Sequence, residues 1–261
     1  FRYCAPIVGF SKIQLEQIQK RIIGPSLSSA GYNSKMPRAV VFGPLKYGGM
    51  QWESPYSMVL TEQIKILLGS IRLQDTVGKL ISLQLMWLQL LMGLGKPILE
   101  QTKYIEYMPQ CWIESLHKKL VYDNIQVNIG NSWVPSQRRE NDSVIMDYVR
   151  QKLPKSYWGP INQCRLFLQA VTVSDIATFD GTEIPQEVYA GKSCYRQSTM
   201  LYPKQKRPPR RAWECWKYYI QWITEEDNKQ LLIPLGKWIN TPYQIYPYSI
   251  SKDTQRVYRR R

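Results

Sequence analysis

The sequence predicts a mainly α-helical protein with a few short β-strands or hairpins. Apolar residues recur every three or four positions along several long segments, and this spacing places them on one face of an α-helix. Helix start and stop signals flank several of these segments, whereas alternating runs of β-branched residues are few and short. The chain has 261 residues, 44% of them hydrophobic, and is therefore long enough to bury the core of one large domain or two modest ones.

The first predicted helix begins at a capping box. Ser11 and Gln14 have the spacing at which each side chain binds the backbone N–H of the other at a helix start. The apolar pattern that follows predicts a helix up to Gly24–Pro25 and a loop over residues 26–36, which are rich in Ser, Gly and Asn. Residues 38–52 combine β-prone side chains with Gly-Pro and Gly-Gly pairs, so we expect a short strand or hairpin there.

Helical spacing of apolar residues predicts most of the remaining elements. It predicts helices over residues 59–73, 77–92, 140–153, 162–170 and 211–223, and one more that starts at Pro109. Alternation at Ile125, Val127 and Ile129 predicts a short strand. The most apolar segment, residues 80–94, is too short to span a bilayer and contains polar side chains. We therefore expect it to be a buried helix, and we expect no membrane partner.

The charge balance indicates a polyanionic partner. Lys and Arg number 35 against 20 Asp and Glu, which gives a formal net charge of +15. The residues after Tyr195 carry 14 of these cations and 5 of the acids, or +9 of the total. On charge alone, nucleic acid and an anionic membrane surface both fit. The composition thus marks residues 195–261 as a basic, aromatic-rich part of the chain.

The sequence contains no evident motif for catalysis or metal binding. Five cysteines without a C-x-x-C pair fit a reducing compartment, so we expect the protein inside the cell, in the nucleus or cytoplasm. The single histidine, His117, adjoins Lys118 and Lys119, and we expect it on the solvent side of its helix. There is no Asp-Asp pair, phosphate-binding glycine loop or nucleophile elbow. We therefore expect neither catalytic residues nor a cofactor in this chain.

Basic residues interleaved with aromatic residues form the strongest functional pattern. The prolines within residues 202–211 disfavour a helix, so we expect an extended arm whose cations follow a phosphate backbone. In the next helix Trp213 and Trp216 share the core-facing side, whereas Tyr218 and Trp222 point away from Trp213 and are placed to stack on bases. Glycine amides and neighbouring cations in the 38–52 turn suggest a second phosphate site. The predicted nucleic-acid-binding residues are Arg38, Lys46, Gly48, Gly49, Lys204, Lys206, Arg207, Arg210, Arg211, Tyr218 and Trp222.

The string PRAVVFGPLKYGGM at residues 37–50 resembles the segment just beyond the thumb in reverse transcriptases of retrotransposons without long terminal repeats. Protist and fungal retroelement proteins look most similar. They share strings like those at residues 162–170, 174–176, 208–216 and 234–238. The likeness covers nearly the whole chain, although Met50 and Gln51 stand where Leu and Gly are usual. The shared motifs are structural rather than catalytic.

This resemblance implies a place within a longer RNA-directed DNA polymerase. Residues 1–36 would belong to the thumb and residues 37–194 to a helical connection domain. The fingers and palm would precede Phe1, with Mg²⁺ held in the palm, and an RNase H-like domain would follow Arg261. The chain would then grip or guide an RNA/DNA duplex or single strand by its backbone, with the palm and RNase H-like domains as further partners.

Two other functions stay open on the sequence alone. A metal-dependent nuclease would need carboxylates that converge only in three dimensions. The candidates for such a site are Glu53, Asp142, Asp147, Asp175 and Asp180. A protein-interaction module is suggested by the many Trp and Tyr residues. Binding that is insensitive to salt would favour the interaction module.

Overall fold

The computed structural model describes residues 4–130, 133–192, 206–225 and 229–239, and the backbone of 248–250 and 257–259. Over these residues the chain is mainly helical, with ten α-helices and one pair of short antiparallel strands, which confirms the predicted fold class. The chain divides into two compact units, a first unit of Phe1–Ser82 with Pro109–Gln126 and a second unit of Leu83–Met108 with Val127–Arg261. None of the described helices combines the length and the apolar composition that a membrane span requires.

The first unit is an assembly of helices around small apolar clusters. It contains α1 (Lys12–Ser29), α2 (Arg38–Phe42), α3 (Pro55–Leu73), the first turns of α4 (Thr76–Met92) and α5 (Trp112–Tyr122). The predicted capping box is present at the start of α1, where the Ser11 N–H donates to Gln14 Oε1 at 2.9 Å. α1 packs against α3 and α3 against α5, with Leu15 and Val59 in a shared buried cluster.

Two predictions in the first unit are wrong. α1 continues through Pro25 to Ser29, because Ile23 and Leu27 pack against Val41 and this burial offsets the hydrogen bond that a proline removes. Residues 38–52 form no strand or hairpin ladder. They make one helical turn, α2, followed by a 3₁₀ turn. The helical turn places Val41 in the cluster with Ile23 and Leu27, so packing overrides the β propensity of this segment.

The position predicted for His117 is also wrong. His117 and Lys119 are both buried in α5, at 0% and 3% exposure. Successive helical residues are about 100° apart, so His117 lies on the same side as the buried Ile113 and Leu120. Lys119 is buried with its ammonium group donating to the Ser115 hydroxyl at 2.9 Å. The run of polar residues in the sequence therefore does not mark the solvent side of this helix.

The second unit holds the remaining elements. These are the rest of α4, α6 (Ile145–Lys152), α7 (Lys155–Leu168), α8 (Val173–Ile176), α9 (Gln186–Tyr189), α10 (Arg210–Ile223), β1 (Tyr248–Ile250) and β2 (Val257–Arg259). α7 packs along α10. The ring of Phe167 contacts that of Trp213 and the ring of Tyr157 contacts that of Tyr218, so the two helices run in opposite directions. This helix pair positions the candidate site.

Local structure in the second unit differs from the prediction at three places. The helix predicted from residue 140 begins only at Ile145, as α6. α7 begins at Lys155 rather than at residue 162, because Trp158 is buried and needs the first turn to reach the core. The strand predicted over residues 125–129 is wrong. The Val127 N–H donates to a carbonyl of a 3₁₀ segment and not to a partner strand. Short alternating runs predict strands only when a partner edge is available.

Arg165 joins the ends of two helices in the second unit. Its guanidinium is fully buried and donates to Asn162 Oδ1 at 2.8 Å and to the carbonyl oxygens of Leu90 and Ala170 at 3.2 Å each. The last carbonyls of a helix have no partner within the helix itself. Arg165 supplies donors to such carbonyls at the end of α4 and beyond the end of α7, and it thereby fixes α7, on which α10 rests.

Candidate nucleic-acid interface

The candidate site is built on α10, whose inward side fixes the helix to the second unit. The most deeply buried side chains on this side are Ala212, Trp213, Trp216, Tyr219 and Ile220, at most 7% exposed. The Trp213 indole N–H donates to the Pro208 carbonyl and the Trp216 indole N–H to the Val188 carbonyl, both at 3.1 Å. The predicted core-facing side is confirmed for both tryptophans. Because their indole N–H groups are bound as well as buried, the rotation of α10 about its axis is fixed.

The outward side of α10 carries a stripe of one cation and two rings. Arg211, Tyr218 and Trp222 stand at positions i, i+7 and i+11, which a helix brings to one side. Tyr218 is 39% exposed and Trp222 is 43% exposed, as their predicted outward orientation requires. Their ring centroids lie 6.2 Å apart and the ring planes cross at 71°. The two rings therefore contact edge to face and form one continuous aromatic patch.

A third ring, which the sequence analysis missed, extends this patch. Tyr157 of α7 lies with its ring centroid 5.2 Å from that of Tyr218, at an interplanar angle of 41°. The sequence did contain a signal, because Tyr157 adjoins Trp158, and adjacent helical residues point in directions about 100° apart. A helix begun at residue 155 would have placed Tyr157 outward. We call Tyr157, Tyr218 and Trp222 the aromatic face.

Four cations lie at or just before the N-terminal end of α10. Lys206, Arg207, Arg210 and Arg211, which we call the basic segment, are all exposed. Arg210 pairs with Glu214 across one helical turn at 3.3 Å, with both side chains exposed. The first turn of α10 contains no acidic residue. The positive end of the helix dipole therefore adds to the charge of the basic segment.

The extended arm predicted over residues 202–211 is corrected in part. Lys204 lies outside the described residues. Lys206 and Arg207 precede the helix without regular secondary structure, whereas Arg210 and Arg211 form the first turn of α10. Pro209 stands directly before this turn, where a proline is compatible with a helix start because no helical N–H is needed from it. The prolines of this segment therefore set the start of the helix.

The second predicted site lies in the first unit and is described by itself. Arg38 and Lys46 are exposed in the turns that follow one another there. The Gly48 N–H donates to a carbonyl within the 3₁₀ turn at 2.9 Å, and the Gly49 N–H donates to the Pro44 carbonyl at 3.0 Å. Both amides are thus engaged in the turn and do not face outward to a phosphate. A Cβ at Gly49 would meet the carbonyl oxygen of Gly43 at 2.1 Å, so this glycine serves the close approach of two backbone segments.

Some of the arginines that contribute to the net charge are interior. Arg138 forms an ion pair with Asp175 in which both side chains are at most 7% exposed. Arg139 donates to four backbone carbonyls, among them that of Gly236 at 2.7 Å, and its guanidinium lies 5.0 Å from the Trp238 ring centroid. These cations compensate polar groups inside the second unit. The charge available to a polyanion is therefore smaller than the sequence total suggests.

Two carboxylates that a nuclease site would require serve the backbone instead. Asp142 accepts hydrogen bonds from the N–H groups of Arg138 at 2.9 Å and Ser174 at 3.0 Å. Burial raises the pKa of Asp142 above its ordinary value, and these two hydrogen bonds oppose the rise. Asp175 accepts from the Val171 N–H at 2.7 Å. Within the part of the chain that the structure describes, no three His, Cys, Asp or Glu side chains are arranged to hold a metal ion.

This chain matches no protein-family model, no curated protein and no solved structure. The resemblance to reverse transcriptases thus stays an expectation from the sequence strings. The structural features that indicate a function are the exposed cations of the basic segment and the aromatic face beside them.

Proposed function

We propose that this chain binds nucleic acid by its phosphate backbone, with the basic segment as the main contact. The observation that carries the proposal is the group of exposed cations at the start of α10. Arg210 is paired with Glu214, whereas Lys206, Arg207 and Arg211 make no ion pair among the described residues. Unpaired surface cations next to a helix N-terminus attract phosphate. They carry no means of reading base sequence, so the binding is nonspecific.

The expected contribution of the basic segment follows from counterion release. Each phosphate neutralised on a DNA duplex lowers the slope of log K against log salt by about 0.9. Three phosphates on Lys206, Arg207 and Arg211 give a slope of about −2.7. This slope corresponds to a loss of roughly 40-fold in affinity between 50 and 200 mM salt. Any contribution from Arg38 and Lys46 adds to this value.

The sequence resemblance supports a role for this interface within a reverse transcriptase of a retrotransposon without long terminal repeats. There the chain would guide the template and primer towards or away from a palm domain, without a catalytic site of its own. A reading frame that encodes a Tyr-x-Asp-Asp motif ahead of residue 1 is expected on this proposal. If that motif is missing, the reverse transcriptase role is excluded and the binding function stands. A nucleic-acid partner also fits a nuclear or cytoplasmic location.

Salt-dependent binding of the whole chain to a labelled DNA duplex tests the binding function. Fluorescence anisotropy is measured between 50 and 200 mM salt for the wild type and for the triple variant Lys206→Ala, Arg207→Ala, Arg211→Ala. We expect the slope of the variant to be shallower by about 2.7. The control removes three exposed lysines elsewhere, Lys79, Lys103 and Lys237, and so the same formal charge.

The control separates local contact from overall charge. We expect the control variant to keep nearly the slope of the wild type, because only cations that contact phosphate release counterions. Equal slopes for the triple variant and the wild type would exclude the basic segment as the interface. A wild-type affinity that does not change with salt would instead favour a protein-interaction module.

A further inference from the structure

Two rings of the aromatic face, those of Tyr218 and Trp222, are exposed although α10, which carries them, is firmly packed. α10 places three large rings inside, those of Trp213, Trp216 and Tyr219, at 0–7% exposure. Tyr218 and Trp222 lie outside this core, and exposing such rings to water is costly unless a ligand covers them. Two features of the molecule indicate which ligand that is: the charge at one end of the stripe and the fixed arrangement of the rings.

The rings are held in place before any ligand binds. Tyr218 lies between Tyr157 of α7 and Trp222, with centroid distances of 5.2 and 6.2 Å. The Tyr148 hydroxyl donates to the Trp222 carbonyl at 3.2 Å and so attaches the last turn of α10 to α6. Rings fixed in this way lose little conformational entropy when a flat ligand stacks on them.

The basic segment lies at a distance from the Tyr218 and Trp222 rings that a single nucleic-acid strand can span. Along a helix each residue advances 1.5 Å, so Arg211 and Tyr218 are separated by about 10 Å along α10 and Trp222 lies about 6 Å further. A strand whose phosphates contact the basic segment would therefore bring its next nucleotides to the aromatic face. The only carboxylate in the α10 helix, Glu214, is paired with Arg210.

We infer that the aromatic face binds unpaired bases of a single-stranded nucleic acid whose phosphates lie on the basic segment. This inference rests on the proposed function and names its substrate class. In a duplex the faces of the bases are covered by their neighbours, whereas a single strand can splay its bases onto aromatic side chains. Every base has a flat aromatic face, so the contact tolerates any sequence. The site therefore distinguishes single-stranded from fully paired substrates without reading sequence.

An abasic strand provides the matched probe. It carries the same number of phosphates as an intact oligonucleotide but offers no bases to stack. Binding of both strands to the whole chain is measured by anisotropy at one salt concentration, for the wild type and for Tyr218→Ala and Trp222→Ala. We expect the wild type to prefer the intact strand. Each variant should lose between about 5-fold and about 150-fold in affinity for that strand, the range that base stacking supplies. Affinity for the abasic strand should change by less than about twofold.

Two further variants exclude other causes. Trp222→Phe keeps an aromatic ring and should retain most of the preference. Phe179→Ala removes another exposed ring of the second unit, 72% exposed, and should leave both affinities as they are. Equal wild-type affinities for the intact and the abasic strand would overturn the inference, and would indicate another occupant for the rings, such as a protein. If the salt slope still depended on the basic segment, the binding function would survive that result. If neither strand bound but the duplex did, only the inference would be overturned. If neither the strands nor the duplex bound, both would be overturned.

Discussion

Replacing Lys119 by methionine should change the pH dependence of stability, and the size of the change follows from its burial. Lys119 is 3% exposed, and burial lowers its pKa from 10.5 to about 8, with Glu114 opposing the shift. Below pH 8 the lysine is charged in the folded and the unfolded protein, so the folded state bears the full cost of a buried charge. Between pH 8 and 10.5 only the unfolded state keeps the proton, and stability therefore rises with pH. Above 10.5 the cost disappears.

The magnitude comes from the width of this window. One pKa unit corresponds to about 1.4 kcal/mol, so the full window of 2.5 units corresponds to about 3 kcal/mol. Over the more practical range from pH 7 to 9.5, linkage gives a rise of about 2 kcal/mol in the wild type relative to Lys119→Met. Other titrating groups are common to both proteins, so their contributions largely cancel in the difference.

Urea unfolding at several pH values between 7 and 9.5 measures this difference. Lys79→Met is the matched control, because Lys79 is an exposed lysine on a helix of the same unit. We expect the control to differ from the wild type by an amount that does not vary with pH. The prediction that Lys119 is buried and partly neutral would be refuted if the difference in unfolding free energy between the wild type and Lys119→Met changed by less than about 0.5 kcal/mol over this range.

Three further substitutions, two in the second unit and one in the first, test local packing and helix capping, with urea unfolding as the measurement. Arg165→Met should cost about 3–5 kcal/mol, because the buried carbonyls that it binds lose their donors. Gly191→Ala should cost about 2–4 kcal/mol, since its φ is +68° and a Cβ would lie 2.5 Å from the Trp213 ring. This variant should also weaken duplex binding, because Trp213 orients α10. Ser11→Ala should cost about 1 kcal/mol through loss of the helix cap.

Two of these substitutions, Gly191→Ala and Arg165→Met, have a control and an outcome that would count against them. Gly130→Ala is the control for Gly191, because a Cβ at Gly130 meets nothing within 4 Å. Equal losses for both glycines would show that the contact with the Trp213 ring is not the cause. Arg150 is half-buried, and Arg150→Met should cost less than about 1.5 kcal/mol. If Arg165→Met cost no more than Arg150→Met, the carbonyls of Leu90 and Ala170 would have donors other than Arg165.

The sequence predicts the helices whose pattern is local, and it fails where a distant residue decides. The apolar spacing of α3 and α4 predicts both helices to within four residues of their observed ends. Pro25 looks like a stop, yet α1 passes through it because Val41, far along the chain, covers Ile23 and Leu27. The same contact turns Val41 from an expected strand residue into a helical one. Propensity over a few residues cannot contain this information.

The candidate site shows the same division. Tyr218 and Trp222 are predictable because their exposure depends only on their position in α10 relative to Trp213 and Trp216. The contact of Tyr157 with Tyr218 is not predictable, because it depends on how α7 packs along α10. The hydrogen bonds that the glycine amides make within the 38–52 turn could not be predicted from the sequence either. A glycine pair is equally typical of a phosphate-binding loop and of a tight turn.

Net charge and surface charge are different quantities in this protein, and the salt dependence of binding separates them. Arg138, Arg139, Arg165 and Lys119 are each at most 5% exposed and compensate groups inside the protein. Bound in that way they release no counterions when a phosphate chain approaches, because only cations that contact phosphate do so. A measured slope therefore counts contacts and not composition. Four contacts, with Arg210 included, would give a slope of about −3.6 on a duplex, and a slope well beyond that would require cations outside the basic segment. Arg38 and Lys46 are then the next residues to substitute.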